Sequence, residues 1–435
     1  MGSLNCHVRP PLEPQGSNTC AIGYLLTKSV IHSGRLVLGV VYLMNKIDVI
    51  IIGAGAAGLM CGIEAGKRQR NVLILDKSNK AGKKILMSGG GRCNFTNMYA
   101  SPEQFQSHNP HFCKSALSRY TQWDFMALVE NYKIAHFEKT LGQLFCEDKS
   151  SLIVNMLLSE CKKYQVDVQL NQLISVIRKT ENGFFIESNH QQYQCKSLVV
   201  ATGGLSIPTL GSSPFGYQIA TQFGLAVHPT RAGLVPFTLH LEDKQRLESL
   251  TGISVEALVS CNGVSFRENV LFTHRGLSGP AILQISSYWH PGDVVQIVLL
   301  PEFDLYSELI RVRGESGDSH LKTVLAQFVA KRLLGVFYQN AYLDKPLKQF
   351  TDKQLKEAAN ILQSWSIKPN ATEGYRTAEV TLGGVDCDEI SSQTFETKKV
   401  AGLYFVGEVL DVSGWLGGYN FQWAWSSGWA AGQVV

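Results

Sequence analysis

The apolar run Ile47 to Ile52 ends in glycine and reads as a buried parallel strand. Ala56 to Arg68 has helical character, and Val72 to Leu75 is a second short buried strand, so the three form a βαβ unit. Residues Phe112 to Tyr132 and Ser151 to Tyr164 are predicted helices. From Val166 to Val200 polar and apolar positions alternate around a turn at Glu181-Asn182-Gly183, and the segment ends in the apolar strand Ser197 to Ala201. Pro236 to Leu300 is again strand-like, with turn signals at Cys261-Asn262-Gly263 and Pro291-Gly292-Asp293. A helical stretch follows, in which Leu321, Leu325 and Phe328 share a face. Thr351-Asp352-Lys353-Gln354 is a capping-box start for a helix running towards Trp365. Strand-like sequence returns at Ala378 to Leu382 and at Leu403 to Val406.

This order predicts an α/β protein. Residues 1–43 are an N-terminal extension. A nucleotide-binding domain occupies 44–230 and resumes at 371–435, with a β insert at 231–301 and a helical insert at 302–370. The extension is rich in turn formers, then mildly apolar from Gly34 to Leu43. Lys28, His32 and Arg35 leave it too charged and too short to span a bilayer, and no small-residue cleavage site marks a secretory signal. Met44, just ahead of the first strong strand, is the expected natural start, or the segment before it is a poorly ordered extension.

Length and composition agree with a globular protein of two or three domains: 435 residues, 45% apolar and 17% charged. A formal charge of +4 permits an RNA or phosphate-bearing partner without arguing for one. The ten cysteines are dispersed, with no CxxC pair and no zinc spacing, which points to a reduced, cytoplasmic protein without a structural metal. His108 and His111 have a spacing a metal could use, but no acid or further ligand lies near them in sequence, so no metal is expected.

Four segments carry chemistry. Gly53-Ala54-Gly55-Ala56-Ala57-Gly58 follows a strand and opens a helix, the arrangement that turns unpaired N–H groups towards a pyrophosphate. Asp76, followed by Lys77, ends the second strand where an acid binds ribose hydroxyls, which favours FAD or NAD over NADP. Ser88-Gly89-Gly90-Gly91-Arg92-Cys93-Asn94 presents backbone donors beside one fixed cation, suited to phosphate or a flavin edge. Thr202-Gly203-Gly204 lies at another strand's C-terminal end. In the tail, Gly407-Glu408 and Asp411 can meet a ribityl chain, and a helix starting near Gly418 and Asn420 can aim its positive end at a flavin carbonyl. Of the tail's tryptophans, Trp425 and Trp429 are expected to pack the core.

Ser88 to Asn97 and Gly402 to Gly432 closely resemble the BaiN-like (YhiN-like) family of bacterial NAD(P)/FAD-dependent oxidoreductases. Phe272 to Pro280 and Ala378 to Val385 fit the same resemblance, which extends over nearly everything from Met44 onward. It implies a Rossmann-like, glutathione-reductase-type FAD domain split between the two ends, with an inserted β-barrel and an inserted small helical domain. It also implies FAD contacts at Gly53, Gly55, Gly58, Asp76, Arg92, Cys93, Thr202, Gly203, Gly407, Glu408 and Asn420. Family members are linked to reduction of conjugated C=C bonds, in steroid enones or in a uridine of large-subunit ribosomal RNA. No second complete GxGxxG is present, so NAD(P)H is expected as a transient electron donor that visits the flavin and leaves.

Such a reduction needs an acid to protonate the carbon beside the one that receives hydride. The candidates are Cys93, whose neighbour Arg92 would lower its pKa, Tyr419 and His274. The substrate is a small molecule or an RNA. A reductase of a small metabolite and a non-enzymatic flavoprotein redox sensor are the competing readings.

Overall fold

The computed structural model describes residues 46–435 and, before them, only the backbone strands Leu26–His32 and Arg35–Val41, which pair as an antiparallel hairpin. Otherwise the expectation for residues 1–43 lies outside the described residues.

The first sheet is built from β1 (Lys46–Ile52), β2 (Val72–Leu75), β3 (Asp167–Gln169), β4 (Ile174–Thr180), β5 (Gly183–Ser188), β6 (Gln191–Val200) and β7 (Leu403–Phe405). Its order is β4-β5-β6-β1-β2-β3, with β7 also on β6. β1 and β2 are parallel, as are β2 and β3. Val49, Ile50 and Ile51 are fully buried, as an unbroken apolar run in a parallel sheet requires. β6 does two jobs. Its first half pairs antiparallel with β5 and alternates buried with exposed positions. Its apolar end, Leu198 to Val200, pairs parallel with β7 and is buried throughout. That switch in pattern along one strand marks where the antiparallel meander gives way to the parallel part of the same sheet.

Helix α1 (Ala56–Lys67) connects β1 to β2, and α2 (Lys83–Gly91) follows β2. Helix α3 (Tyr419–Gly432) packs against α1 along its length. The approach is backbone to backbone: a Cβ on Gly428 would stand 2.4 Å from the Ala57 carbonyl oxygen. The Arg68 guanidinium, just past α1, donates to the carbonyls of Gly432 (3.1 Å) and Val435 (3.0 Å), satisfying acceptors that a helix end leaves open. Trp425 is fully buried. It stacks on Phe125 at 4.2 Å, and its indole N–H donates to the Phe95 carbonyl at 2.8 Å. Trp429 is half-buried over Tyr120.

The expected single helix over 112–132 is two helices, Lys114–Arg119 and Gln122–Asn131. They separate where the Thr121 hydroxyl and backbone N–H both bond to Asp124, a capping box that starts a new helix rather than continuing the old one.

The second sheet is antiparallel and seven-stranded, in the order Trp365–Ile367, Val295–Leu299, Ser254–Cys261, Val264–Phe272, Gly276–Ser278, Phe237–Thr238, Ala371–Thr372. Helices between residues 305 and 363 pack on it, and sheet and helices share one hydrophobic core in which Leu321, Leu325 and Leu355 are fully buried. The last of these helices, Asp352–Gln363, starts at the predicted Thr351 cap. Strand Val380–Val385 then pairs antiparallel with Val227–Gly233 and leads back to β7. Among the described residues no helix is long and apolar enough to cross a membrane.

The contact of α1 with α3 leaves no room for a side chain at Gly428. Gly428→Val should therefore destabilise the protein by about 3 kcal/mol or more, at or above the upper end of ordinary overpacking costs, because the obstructing atom is backbone. Chemical denaturation should report this as a lower midpoint, and an unchanged midpoint would contradict the packing described.

Candidate active site

The C-terminal ends of β1 and β6 and the N-termini of α1 and α3 open onto one cleft of about 840 Å³, within the usual range for a small-molecule or cofactor site. Gly53 turns the chain out of β1 at φ +115°, and a Cβ there would lie 2.4 Å from the Ala201 carbonyl oxygen at the end of β6. Only glycine satisfies both demands. Gly55 caps α1 with no side-chain hydrogen bond to the helix N–H groups, so the positive end of the helix stays open to the cleft. A Cβ on Gly55 would meet nothing within 4 Å, so the space beside it belongs to the cleft and not to the protein. Asp76 ties this turn down: its two carboxylate oxygens accept from the N–H groups of Ala54 and Ser78, both at 2.7 Å.

The opposite wall comes from α2 and the tail. Gly89 and Gly90 both adopt left-handed backbone (φ +58° and +66°), which breaks α2 and turns this end of it, with Ser88, into the cleft wall. Lys84 reaches from α2 to the tail: its Nζ donates at 2.7 Å to both Glu408 Oε2 and Ser206 Oγ. Glu408 Oε1 also accepts from the Thr381 N–H at 3.0 Å and from Ser206 Oγ at 3.2 Å. At the start of α3, Asn420 Oδ1 accepts from the Gly414 N–H at 2.8 Å and its amide donates to the carbonyls of Gly414 and Trp415, fixing the turn that precedes the helix.

Of the residues picked from sequence, Gly53, Gly55, Ala56, Ala57, Asp76, Lys77, Ser88, Gly89, Gly90, Asn94, Thr202, Gly203, Gly407, Glu408, Gly418 and Asn420 all line this cleft. Five expected contacts do not. Gly58 and Gly204 lie behind the wall, where a Cβ would strike the Gly53 carbonyl oxygen (1.9 Å) and Thr381 Oγ1 (2.5 Å). The Arg92 side chain is exposed and outside the cleft. Asp411 is buried elsewhere. It accepts from the His108 N–H and meets His108 Nδ1, both at 2.8 Å, while the His108 ring stacks on His228 at 3.8 Å. The partner of His108 is thus His228, from a distant strand, and not His111.

Cys93, the fifth, was also expected as an acid. Its thiol is fully buried, burial pushes its pKa up, and it faces no part of the cleft. The other two candidate acids are likewise misplaced. Tyr419 is buried, with its phenol pushed up by burial and then by Glu268, and His274 is exposed in a tight turn of the second sheet. None of the three expected proton donors lines the cleft: Cys93 was chosen for its sequence neighbour Arg92, whereas the cleft is formed by strand ends far apart in the chain.

Two cleft residues were missed. Lys84 could have been found from the paired lysines just ahead of the glycine-rich turn. Glu379 carries a clearer signal, an acid at the mouth of an apolar strand. Its carboxyl opens onto the cleft, has no hydrogen bond or ion pair among the described residues, and is pushed up to about 7 by burial alone.

Comparison with known proteins agrees with this geometry. The HI0933-like protein Rossmann domain matches residues 47–434. The chain is 56% identical over 392 residues to the ribosomal RNA dihydrouridine synthase of Escherichia coli K12, covering 90% of this chain and 98% of that protein. It is 50% identical over 387 residues to the ribosomal RNA dihydrouridine synthase of Haemophilus influenzae Rd, covering 88% and 96%. It is 27% identical to the 3-dehydro-bile acid delta(4,6)-reductase of Clostridium scindens, covering 90% and 99%.

Because the space at Gly55 is empty of protein, Gly55→Val should fold normally yet lose its nucleotide cofactor. Purified variant should melt near the wild type stripped of cofactor and carry no visible flavin absorbance. A Gly55→Val protein that retains stoichiometric FAD would sink the assignment of this cleft.

Proposed function

The chain belongs to the HI0933-like protein Rossmann-domain family of FAD-dependent oxidoreductases, and on that footing we propose that it reduces a uridine of large-subunit ribosomal RNA to dihydrouridine, with NAD(P)H as electron donor. The observation that carries this reading is the pair of relatives named ribosomal RNA dihydrouridine synthase, matched at 56% and 50% identity over nearly their whole length. The relative that acts on a bile acid is far more distant, at 27%. A ribosomal substrate also fits a cytoplasmic protein.

In this reading the FAD domain comprises residues 44–230 and 371–435, and residues 231–301 and 302–370 are a β-barrel and a helical insert. The turn at Gly53 and Gly55 and the open end of α1 would receive the pyrophosphate, with Asp76 beside a ribose. Glu408, Gly407 and the N-terminus of α3 would face the flavin half. Bound FAD supplies the hydride for the alkene. The protein's own tasks are to hold that cofactor and supply a proton.

Glu408 and Asp76 are already committed to internal partners, Lys84 and backbone N–H groups respectively. Each carboxylate oxygen still has acceptor capacity for a ligand hydroxyl, and the partners hold it in place for that role. Both are occupied as acceptors of those internal hydrogen bonds.

Ribosomal RNA from a strain lacking this gene should contain one dihydrouridine fewer, and a plasmid copy should restore it. Nucleoside mass spectrometry of fragmented large-subunit RNA makes the measurement. An unaltered dihydrouridine content would refute the RNA substrate.

A further inference from the structure

We propose that Glu379 is the proton donor of the reaction, an inference that rests on the reading of the chain as a reductase of an activated C=C bond. Its position carries the argument. Glu379 directly precedes strand Val380–Val385, and its backbone N–H donates to the Leu234 carbonyl at 3.2 Å, so its main chain is fixed at the end of the two-stranded ladder that Val380–Val385 forms with Val227–Gly233. Leu234, Glu379 and Val380 all line the cleft. The side chain is exposed where it lines the cleft, and its carboxyl has no partner among the described residues.

The other ionisable groups on the cleft wall are poor donors for carbon. Asp76 and Glu408 are tied as described, and Lys84 is paired with Glu408. Lys77, Lys80 and Lys83 are amines, weak acids at neutral pH. On the strand paired with Val380–Val385, Arg231 spends its guanidinium on the carbonyls of Ser286, Ser287 and Trp289, and His228 lies against Asp386. In the segment before Glu379, Glu373 is paired with Arg275 and Arg376 is exposed. No charge among these contributes to the state of Glu379. Burial alone raises its carboxyl to about 7, which leaves an appreciable protonated fraction at neutral pH and matches the donor to its working range.

The step balances as follows. Hydride from the reduced flavin bonds to the alkene carbon β to the substrate carbonyl. The Glu379 O–H bond breaks and its proton bonds to the α carbon, leaving a saturated C–C bond and a Glu379 carboxylate. Water in the open cleft returns the proton, and a nicotinamide hydride donor returns the two electrons to the flavin.

The test uses the full FAD-loaded chain and its Glu379→Gln variant. Two acceptors are supplied separately to the reduced protein, large-subunit RNA transcribed in vitro and cyclohex-2-enone. Glu379→Gln should keep its FAD and be reduced by NAD(P)H at the wild-type rate. Its reoxidation by the working acceptor should slow by roughly 10²- to 10⁴-fold, the usual contribution of a general acid. The wild-type rate of that step should fall as pH rises through about 7, and the variant should lose this dependence. Independently of turnover, carbon NMR of glutamate-labelled holoprotein should show one carboxyl titrating near or above pH 7 that is missing from the variant. Glu379→Asp should recover part of the rate.

Wild-type reoxidation by the variant, or absence of that carboxyl resonance, overturns the proposal and leaves the functional reading standing. Loss of FAD from Glu379→Gln also overturns it, making Glu379 a cofactor contact. If only the enone reoxidises the wild type, the RNA substrate falls and the proton donor is judged on the enone. If neither does, both fall.

Discussion

The backbone contact between α1 and α3 is the constraint on which the rest of the molecule depends. α1 starts at the glycine turn after β1, and α1 and α3 both open onto the same cleft at their N-termini. Locking the two together sets the cleft's two helical ends at a fixed separation. Gly428 permits the approach, and hydrogen bonds from the tail finish it. The Gly407 N–H donates to Ser427 Oγ at 3.0 Å and the Trp423 indole donates to the Gly407 carbonyl at 3.1 Å. A looser contact would let the two walls drift, and preorganised binding degrades quickly with such drift.

Within the cleft, charge is organised by occupation. Asp76 and Glu408 already hold internal donors and serve as fixed acceptors, while Glu379 has no partner among the described residues and burial pushes its carboxyl up. Burial and hydrogen bonding push carboxyls in opposite directions, so one cleft can hold acids of different character.

Much of this was legible in the sequence. The βαβ fingerprint, the Thr351 cap and the C-terminal helix follow from local rules: apolar runs, capping residues and glycine spacing. Most cleft-lining positions picked from sequence were found for the same reason, since a glycine at a strand end sits in a recognisable local turn. The acid was not legible. Cys93 looked activated by Arg92, but neighbours in a chain can point to opposite sides of a wall, and here one is fully buried and the other exposed. Asp411 misled in the same way, since its partners His108 and His228 arrive from segments that no local pattern connects. Sequence spacing reports backbone geometry well and side-chain company poorly.

The pairing of β6 with β7 has a consequence for how the protein is made. During synthesis Val200 emerges long before Phe405, its partner across the parallel ladder. The intervening segment builds a core of its own around the second sheet, so it can condense while β6 still lacks a neighbour on one side. The unpaired ladder of β6 is an aggregation-prone edge for that interval. A ribosome that stalls before the tail is translated would therefore release a chain with a finished second sheet and an unfinished nucleotide cleft.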